Sequence, residues 1–311
     1  MKTPHLQNAT ITRRAYAKIN TYLEVLRQRT DGYHELCSHM QLISLHDTLQ
    51  LCMKVEDGEG LSLSLTCDNA MLSCGEDNLI LKAARAYFSQ LTLPQCNLSL
   101  HIALQKNIPM QGGLAGGSAD AAAALLAINE LCGMPMCEQE LCDLGARLGA
   151  DIPFCIRGLQ GAQTARGIGE RMTAAPGVSE EVTLLVVSPG TAVSTPAAFR
   201  LLDERYGDAD ANAREIENEL RYTKHLQALC DGELSRLAQT SFNRFEEAVF
   251  ALQPETEAVF SLVSSLGADM TRMSGSGPTI VGYFSDETAA IRARDALAQR
   301  KIAAYICKTI R

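Results

Sequence analysis

Lys106-Asn-Ile-Pro-Met-Gln-Gly-Gly-Leu-Ala-Gly-Gly-Ser-Ala-Asp120 decides how this chain is read. Gly112, Gly113, Gly116 and Gly117 crowd together and lead to Ser118, the expected N-cap of a helix. Asp120 then falls in the expected first turn, where a carboxylate suits the positive end of the helix dipole. Ala119 to Leu131 are almost all strong helix formers, and Gly133 supplies a stop. Just upstream, Asn97–Gln105 alternates Leu98, Leu100, Ile102 and Leu104 on one face of a strand. A glycine-rich turn that joins a strand to a helix leaves backbone N–H groups aimed at one point, which is an anion-binding arrangement. The same glycines would equally serve a plain tight turn onto a core helix. The Walker pattern fails because no lysine precedes Ser118, and the spacing G-G-x-x-G-G does not fit the dinucleotide fingerprint.

Length and composition narrow the setting. The chain has 311 residues, room for one large or two ordinary domains. Its formal net charge is −8 and no lysine or arginine block occurs, which argues against nucleic acid or an anionic membrane as partner and for a small-molecule ligand. No apolar run is long enough to span a bilayer, and the first residues lack the apolar core of a signal peptide, so a cytoplasmic location is expected. The eleven cysteines are odd in number and form no C-x-x-C pair, as expected for buried thiols in a reducing compartment. Tryptophan is absent.

Residues 10–28 read as a strand that puts Lys18 and Asn20 on one face, two residues apart. Arg27–Tyr33 forms a polar loop with Asp31-Gly32 as its turn signal. Leu42–Leu51 and Leu61–Thr66 are further strands, and Asp77-Asn78 opens a helix through Leu91. Glu138–Leu148 is helical, and Asp151-Ile-Pro153 has the look of a helix start. A glycine-rich stretch from Gly158 to Gly177 precedes the strand Val182–Val187, and a domain boundary is placed near residue 178, giving domains 1–178 and 179–311. In the second half, Thr195-Pro196 opens a helix through Tyr206, and the acidic segment 207–219 is expected to be a mobile loop. Helices over 241–252 and 254–266, the Gly275/Gly277 loop between strands, a helix capped by Ser285, and a last strand over 302–310 follow. That order is compatible with a ferredoxin-like α+β sandwich.

Five stretches together resemble one family. Pro109 through Ser118 follow P-x-x-x-G-L-[AGS]-[GS]-[GS]-S, the phosphate loop of the galactokinase, homoserine kinase, mevalonate kinase and phosphomevalonate kinase (GHMP) superfamily. Ala15–Asn20 is similar to its P-A-K-[IL]-N element, Leu148–Pro153 to its L-G-[AS]-D-[IV]-P element, and Arg272–Thr279 to its C-terminal glycine loop. The segment Arg29-Thr-Asp-Gly-Tyr-His34 resembles one branch, whose substrate is a polyol linked to cytidine diphosphate. The motifs run nearly the whole length of the chain in the family's order. The resemblance implies an α+β, two-domain GHMP kinase fold, with an N-terminal domain like ribosomal S5 domain 2 and a C-terminal ferredoxin-like sandwich.

It also implies the chemistry: transfer of a phosphoryl group from ATP, with Mg²⁺, to an alcohol. In that reading Asp151 takes the hydroxyl proton and Lys18 positions it and contacts the transferring group. Pro109, Met110, Gln111, Gly112, Gly113, Leu114, Ala115, Gly116, Gly117, Ser118 and Ala119 cradle the donor phosphates. Asn78, Leu79 and Lys106 match positions near adenine and phosphate, and Ser118 is placed to reach phosphate or Mg²⁺. Tyr33 and His34 would hold the cytidine end with Phe199 stacking on the base, Asn20 would bond the polyol or its phosphate, and Gly275 and Gly277 would close over the site. Without the resemblance each residue has a plainer use: Asp151 as a helix cap, Lys18 as a solvated strand lysine, Phe199 as helix core. Tyr16, Gln111 and Ala119 depart from the usual proline, glycine and serine. A sibling kinase acting on homoserine, mevalonate or a sugar, or a non-catalytic ligand binder, are the competing readings. A monomer or a homodimer is expected.

Overall fold

The computed structural model describes residues 3–158, 161–207 and 211–310, with the side chains of 211 and 212 left aside. Two compact units interleave along the chain: Met1–Ala17, His46–Ile108 and Ala115–Arg157 make the first, and Lys18–Leu45, Pro109–Leu114 and Gly158–Arg311 the second. Strands β1 (Ala9–Gln28) and β2 (His34–Glu56) are long enough to contribute residues to both.

In the first unit β4 (Asn97–Gln105) lies antiparallel to the second half of β2, Thr48 opposite Gln105, and parallel to β3 (Gly60–Cys67). The alternation read from the sequence is the one observed: Leu98, Leu100, Ile102 and Leu104 are all buried. Helices α1 (Leu79–Phe88) and α2 (Gly116–Leu131) pack on one another, and α4 (Ile152–Arg157) packs on α2 and on α3 (Glu138–Ala146). The alanines of α2 allow this close approach; Ala121, Ala124 and Ala127 have no exposed surface. Asn129 ties the end of α2 down by accepting from the Tyr87 hydroxyl at 2.8 Å and donating to the Met136 carbonyl at 2.9 Å.

In the second unit β7 (Thr183–Ser188), β9 (Met270–Met273), β10 (Ile280–Phe284) and β11 (Ala303–Cys307) form an antiparallel sheet in the order β11-β7-β10-β9. Numbered by their own sequence order that is 4-1-3-2, the ferredoxin-like arrangement. Helices α5 (Thr195–Tyr206), α8 (Phe245–Leu252), α9 (Pro254–Ser265) and α10 (Glu287–Gln299) share an apolar core with this sheet, through Ala198, Leu202, Val249, Val263, Ala293 and Leu297. The cap of α10 is Asp286, which accepts from Thr288 N at 2.9 Å, and not Ser285, whose hydroxyl is taken by Asp269. The glycine-rich stretch after residue 158 contains a hairpin, β5 (Gln163–Gly167) with β6 (Arg171–Ala174), and β5 pairs with the first half of β2.

The segment 207–219 is not a loop. Residues 208–210 lie outside the described residues, but from Ala211 the chain is helical, and α6 (Ala211–Asp231) runs for 21 residues. After α7 (Leu234–Thr240), the two-residue strand β8 (Phe242–Asn243) lies parallel to Tyr22 and Leu23 of β1. Helix α6 turns Asn218, Tyr222 and His225 inward, where Asn218 accepts from the Tyr22 hydroxyl at 2.9 Å.

His225 belongs to a buried hydrogen-bond chain. His39 Nε2 lies 2.8 Å from the Pro176 carbonyl, which only accepts, so Nε2 carries the hydrogen and Nδ1 is bare. The Thr21 hydroxyl donates to that Nδ1 at 2.7 Å and its oxygen accepts from His225 Nε2 at 2.9 Å. Burial pushes His39 down to about 4 and lowers His225 as well. A histidine lowered below its unfolded value contributes stability that is complete above about pH 6.5 and is lost as pH falls toward the folded value. Unfolding free energy from urea titration should therefore drop between pH 6.5 and 4 more steeply for the wild type than for His39→Gln, which removes one titrating ring. Equal slopes would mean that His39 is not held neutral.

Candidate active site

The glycine loop is built from both units, and each part is anchored within its own. In the second unit, Thr279 N donates to the Gly112 carbonyl at 3.3 Å, Ser274 Oγ to the Gly113 carbonyl at 3.2 Å, and Lys18 N to the Leu114 carbonyl at 3.1 Å. Gly113 has φ of +73°, and a Cβ there would stand 2.2 Å from the Ser274 carbonyl oxygen, so only glycine lets the two loops touch. Gln111 and Ala115 are held at φ of 55°, the left-handed region where the family's usual glycine at 111 would rest without strain. Gly113→Ala should lower unfolding free energy by ~1–3 kcal/mol. Gly117→Ala, with no neighbour within 4 Å of its Cβ position, should stay near neutral, and urea unfolding of the pair checks the contrast.

Lys18 is buried, 5% exposed, and its Nζ donates to Asn20 Oδ1 at 2.7 Å. Asn20 Nδ2 in turn donates to Ser38 Oγ at 2.7 Å, so the asparagine is fixed by β2 and holds the lysine in place. A Cβ on Gly275 would lie 3.3 Å from Lys18 Nζ and 2.8 Å from the Gly113 carbonyl, which puts the ammonium at the crossing of the two glycine loops. None of the ion pairs among the described residues of this unit involves Lys18. A buried ammonium with one neutral acceptor lacks a counter-charge, and an anion supplied by a ligand would provide it.

In the first unit, α2 begins at Gly116 with Ala115 as N-cap, one turn earlier than the sequence reading, because Ala115 takes the left-handed conformation and the two glycines follow it into the helix. Ser118 is therefore in the first turn, not the cap. The opening amides of α2 have no carbonyl one turn back to bond, so they remain available to an anion. Ser118 Oγ lies 3.7 Å from the Cβ position of Gly149, which brings the start of α2 beside the Leu148–Pro153 segment. Asp151 directly precedes α4, and its backbone carbonyl accepts from Cys155 N at 3.1 Å. No hydrogen bond or ion pair among the described residues engages its half-buried carboxylate.

Asp120 is not a dipole partner. It is buried on Lys106, whose Nζ donates to Asp120 Oδ2 at 2.9 Å and to Asp47 Oδ2. Asp47 Oδ1 also accepts from the Asn107 and Ile108 amides, the latter at 2.8 Å, so this carboxylate fixes the chain just before the glycine loop. Burial with only one cation between two carboxylates pushes Asp120 up to about 7. The same carboxylates raise Lys106 despite the opposing effect of its burial. Asn78 caps α1, accepting from Ile80 N at 2.9 Å while its Nδ2 donates to the Ser73 carbonyl at 2.6 Å; Leu79, half-buried, is the first residue of that helix.

The residues expected at the cytidine end lie in the second unit. Asp31-Gly32 turns the chain, with Gly32 at φ of 84° and Asp31 Oδ1 accepting from Tyr33 N at 3.1 Å; the bonds Asp31 receives hold its pKa below the usual value. Tyr33 is left 61% exposed. His34 turns inward and stacks on Phe199 with ring centres 4.2 Å apart and 16° between planes. One face of Phe199 is thus covered by imidazole, and Phe245 meets the ring edge-on at 4.9 Å. Sequence reasoning missed Asp47, Ser38 and Asp203. Asp203, one helical turn after Phe199, was open to detection by spacing; Asp47 and Ser38 were not, since their partners are distant in sequence.

The model of the GHMP kinases N-terminal domain matches residues 78–159, and that of the GHMP kinases C-terminal domain matches residues 226–303. The class is that of the GHMP kinases, phosphotransferases that use ATP. A 4-diphosphocytidyl-2-C-methyl-D-erythritol kinase of Synechococcus sp. (strain CC9605) is 39% identical over 93% of this chain and 92% of its own. The chain belongs to the 4-diphosphocytidyl-2-C-methyl-D-erythritol kinase family. A solved 4-(cytidine 5'-diphospho)-2C-methyl-D-erythritol kinase has 33% identity and a TM-score of 0.73, covering 96% of this chain and 99% of that one. A homoserine kinase from Cytophaga hutchinsonii reaches the same TM-score of 0.73 at 19% identity, over 97% of this chain and 95% of that one, a likeness of fold alone.

Proposed function

We propose that this chain is an ATP-dependent kinase that phosphorylates the 2-hydroxyl of 4-diphosphocytidyl-2-C-methyl-D-erythritol, in the methylerythritol phosphate route to isoprenoid precursors. The observation that carries the reading is Lys18, a buried lysine that joins no ion pair among the described residues, set where two glycine loops meet. Asp151 accepts the proton of the substrate hydroxyl as its oxygen attacks the γ-phosphorus. The bond from that phosphorus to the bridging oxygen breaks and ADP leaves. Lys18 balances the charge on the phosphoryl group in flight, and the amides of the 109–119 loop hold the donor phosphates. Asn78, Leu79 and Lys106 form the adenine side; Asn20, Gly275 and Gly277 face the polyol; Tyr33, His34 and Phe199 receive the cytidine.

Mg²⁺ would arrive with the nucleotide. Among the described residues no group of three or more His, Cys, Asp or Glu could hold a metal ion. The Ser118 hydroxyl, a single neutral oxygen, suits an ion that already carries phosphate oxygens and waters. When bound it would neutralise charge on the donor phosphates. The boundary near residue 178 is kept as the division between the family's two domains, supported by the interval between the matched regions. Among the described residues no helix is long and apolar enough to cross a membrane. A cytoplasmic location and a monomeric or homodimeric state complete the reading.

A coupled assay of ADP release tests it, offering ATP with the cytidylyl substrate, homoserine or mevalonate in turn. Turnover should require the cytidylyl substrate, and ³¹P NMR of the product should show a new monoester at the 2-position. ADP release that ignores the acceptor would overturn the proposal.

A further inference from the structure

We infer that Asn243 is a positioning residue that sets the distance between the Gly275 loop and Lys18, an inference that rests on the kinase reading of that crossing. Asn243 is 3% exposed, and its side-chain amide is fully engaged. Nδ2 donates to the Met273 carbonyl at 2.7 Å and to the Gly275 carbonyl at 2.9 Å, while Oδ1 accepts from Phe245 N at 3.0 Å. Two carbonyls at one end and an N–H at the other fix which end is nitrogen. A carboxylate could not donate here, and a hydroxyl has a single hydrogen to give.

The backbone of Asn243 is tied to the strand that carries Lys18. β8 runs parallel to β1 with Asn243 opposite Leu23, Arg244 N donates to the Leu23 carbonyl at 2.8 Å, and Ser241 Oγ donates to the Thr21 carbonyl at 2.5 Å. Met273 is gripped from both sides, since its N–H donates to Glu246 Oε1 at 2.9 Å. Gly275 then packs against Gly113 and Lys18, and Ser274 holds the Gly113 carbonyl. All of these residues belong to one unit. Gly275 and Gly277 stand at φ of 58° and 76°, and a turn with two such glycines has wide conformational freedom of its own. The Asn243 amide removes that freedom and refers both the loop and the ammonium to β1. It acts through the loop, not on the reacting atoms.

The test uses the full-length ¹⁵N-labelled chain with Asn243→Asp, Asn243→Ala and, as control, Ser241→Ala, which removes a bond from the same segment to β1 but none to the loop. Amide hydrogen exchange is followed without ligand, and turnover with ATP and the cytidylyl substrate. Gly277 N and Thr279 N, which donate to the Ser274 and Gly112 carbonyls, report the loop; the amides paired between β7 and β10 report global opening. Asn243→Asp keeps the acceptor for Phe245 N and loses both donors. It should speed exchange at Gly277 and Thr279 ~10-fold or more relative to the β7 and β10 amides. It should also lower kcat ~10²-fold with KM for the cytidylyl substrate within ~3-fold, the signature of a misplaced group and not of lost substrate contacts. Asn243→Ala buries no new charge and should behave alike, so it carries the test where Asn243→Asp does not fold. Ser241→Ala should change all amides evenly and leave kcat within ~2-fold. Even exchange in the Asn243 variants, kcat within ~10-fold of the wild type, or an equal loss of kcat in Ser241→Ala would overturn the inference. So would failure of both Asn243 variants to fold, which would assign these bonds to the fold alone. A wild type that turns over no cytidylyl substrate would instead remove the kinase reading, while exchange at Gly277 and Thr279 still decides whether Asn243 holds the loop.

Discussion

Asp151→Asn is expected to lower kcat by ~10²–10⁴-fold, the range over which a positioned general base contributes. The substitution keeps the shape of the side chain and the backbone carbonyl that accepts from Cys155 N at the start of α4. It removes the capacity to take a proton. Because no described residue is bonded to the carboxylate, no structural pairing is broken, and circular dichroism and ATP affinity should match the wild type. Single-turnover phosphorylation of the cytidylyl substrate makes the measurement. A variant that turns over within ~10-fold of the wild type would remove Asp151 from the chemical step.

Lys106→Met should have the largest effect on stability, a loss of ~3–5 kcal/mol near neutral pH. The ammonium is 4% exposed and its partners Asp47 and Asp120 are 0% and 3% exposed. Removing it leaves two buried carboxylates without the cation between them. Asp120, already pushed up to about 7, would rise further. A carboxyl whose folded pKa is raised binds its proton more readily in the folded state, so the deficit should shrink as pH falls from 8 toward 5. Urea unfolding at several pH values checks both the size and the slope. A deficit that stays constant with pH would mean that the carboxylates find another partner.

Local chemistry in the sequence was sufficient for much of this structure. The alternation in β4, the alanine run of α2 and the Thr195-Pro196 start of α5 are short-range signals, and each produced the element expected. Helix α6 was hidden because its buried stripe includes Asn218 and His225, polar residues whose partners, Tyr22 and Thr21, lie on β1 far away in sequence. The N-cap at Ala115 was hidden because a left-handed alanine is unfavourable in isolation and becomes visible only with the anchors around it. The same limit applies to the site. Lys18, Asn20 and the glycine loop were legible as motifs, but the pairing of Lys106 with Asp47 and of His34 with Asp203 depends on how strands and helices come together.

The left-handed Gln111 and Ala115 carry a consequence for protein engineering. Neither residue favours that backbone, and the segment between them is held by hydrogen bonds from Thr279, Ser274 and Lys18, all remote in sequence. The ten-residue motif is therefore not portable: grafted into a host lacking those three donors, Pro109–Ser118 would relax to some other turn and lose its convergent amides.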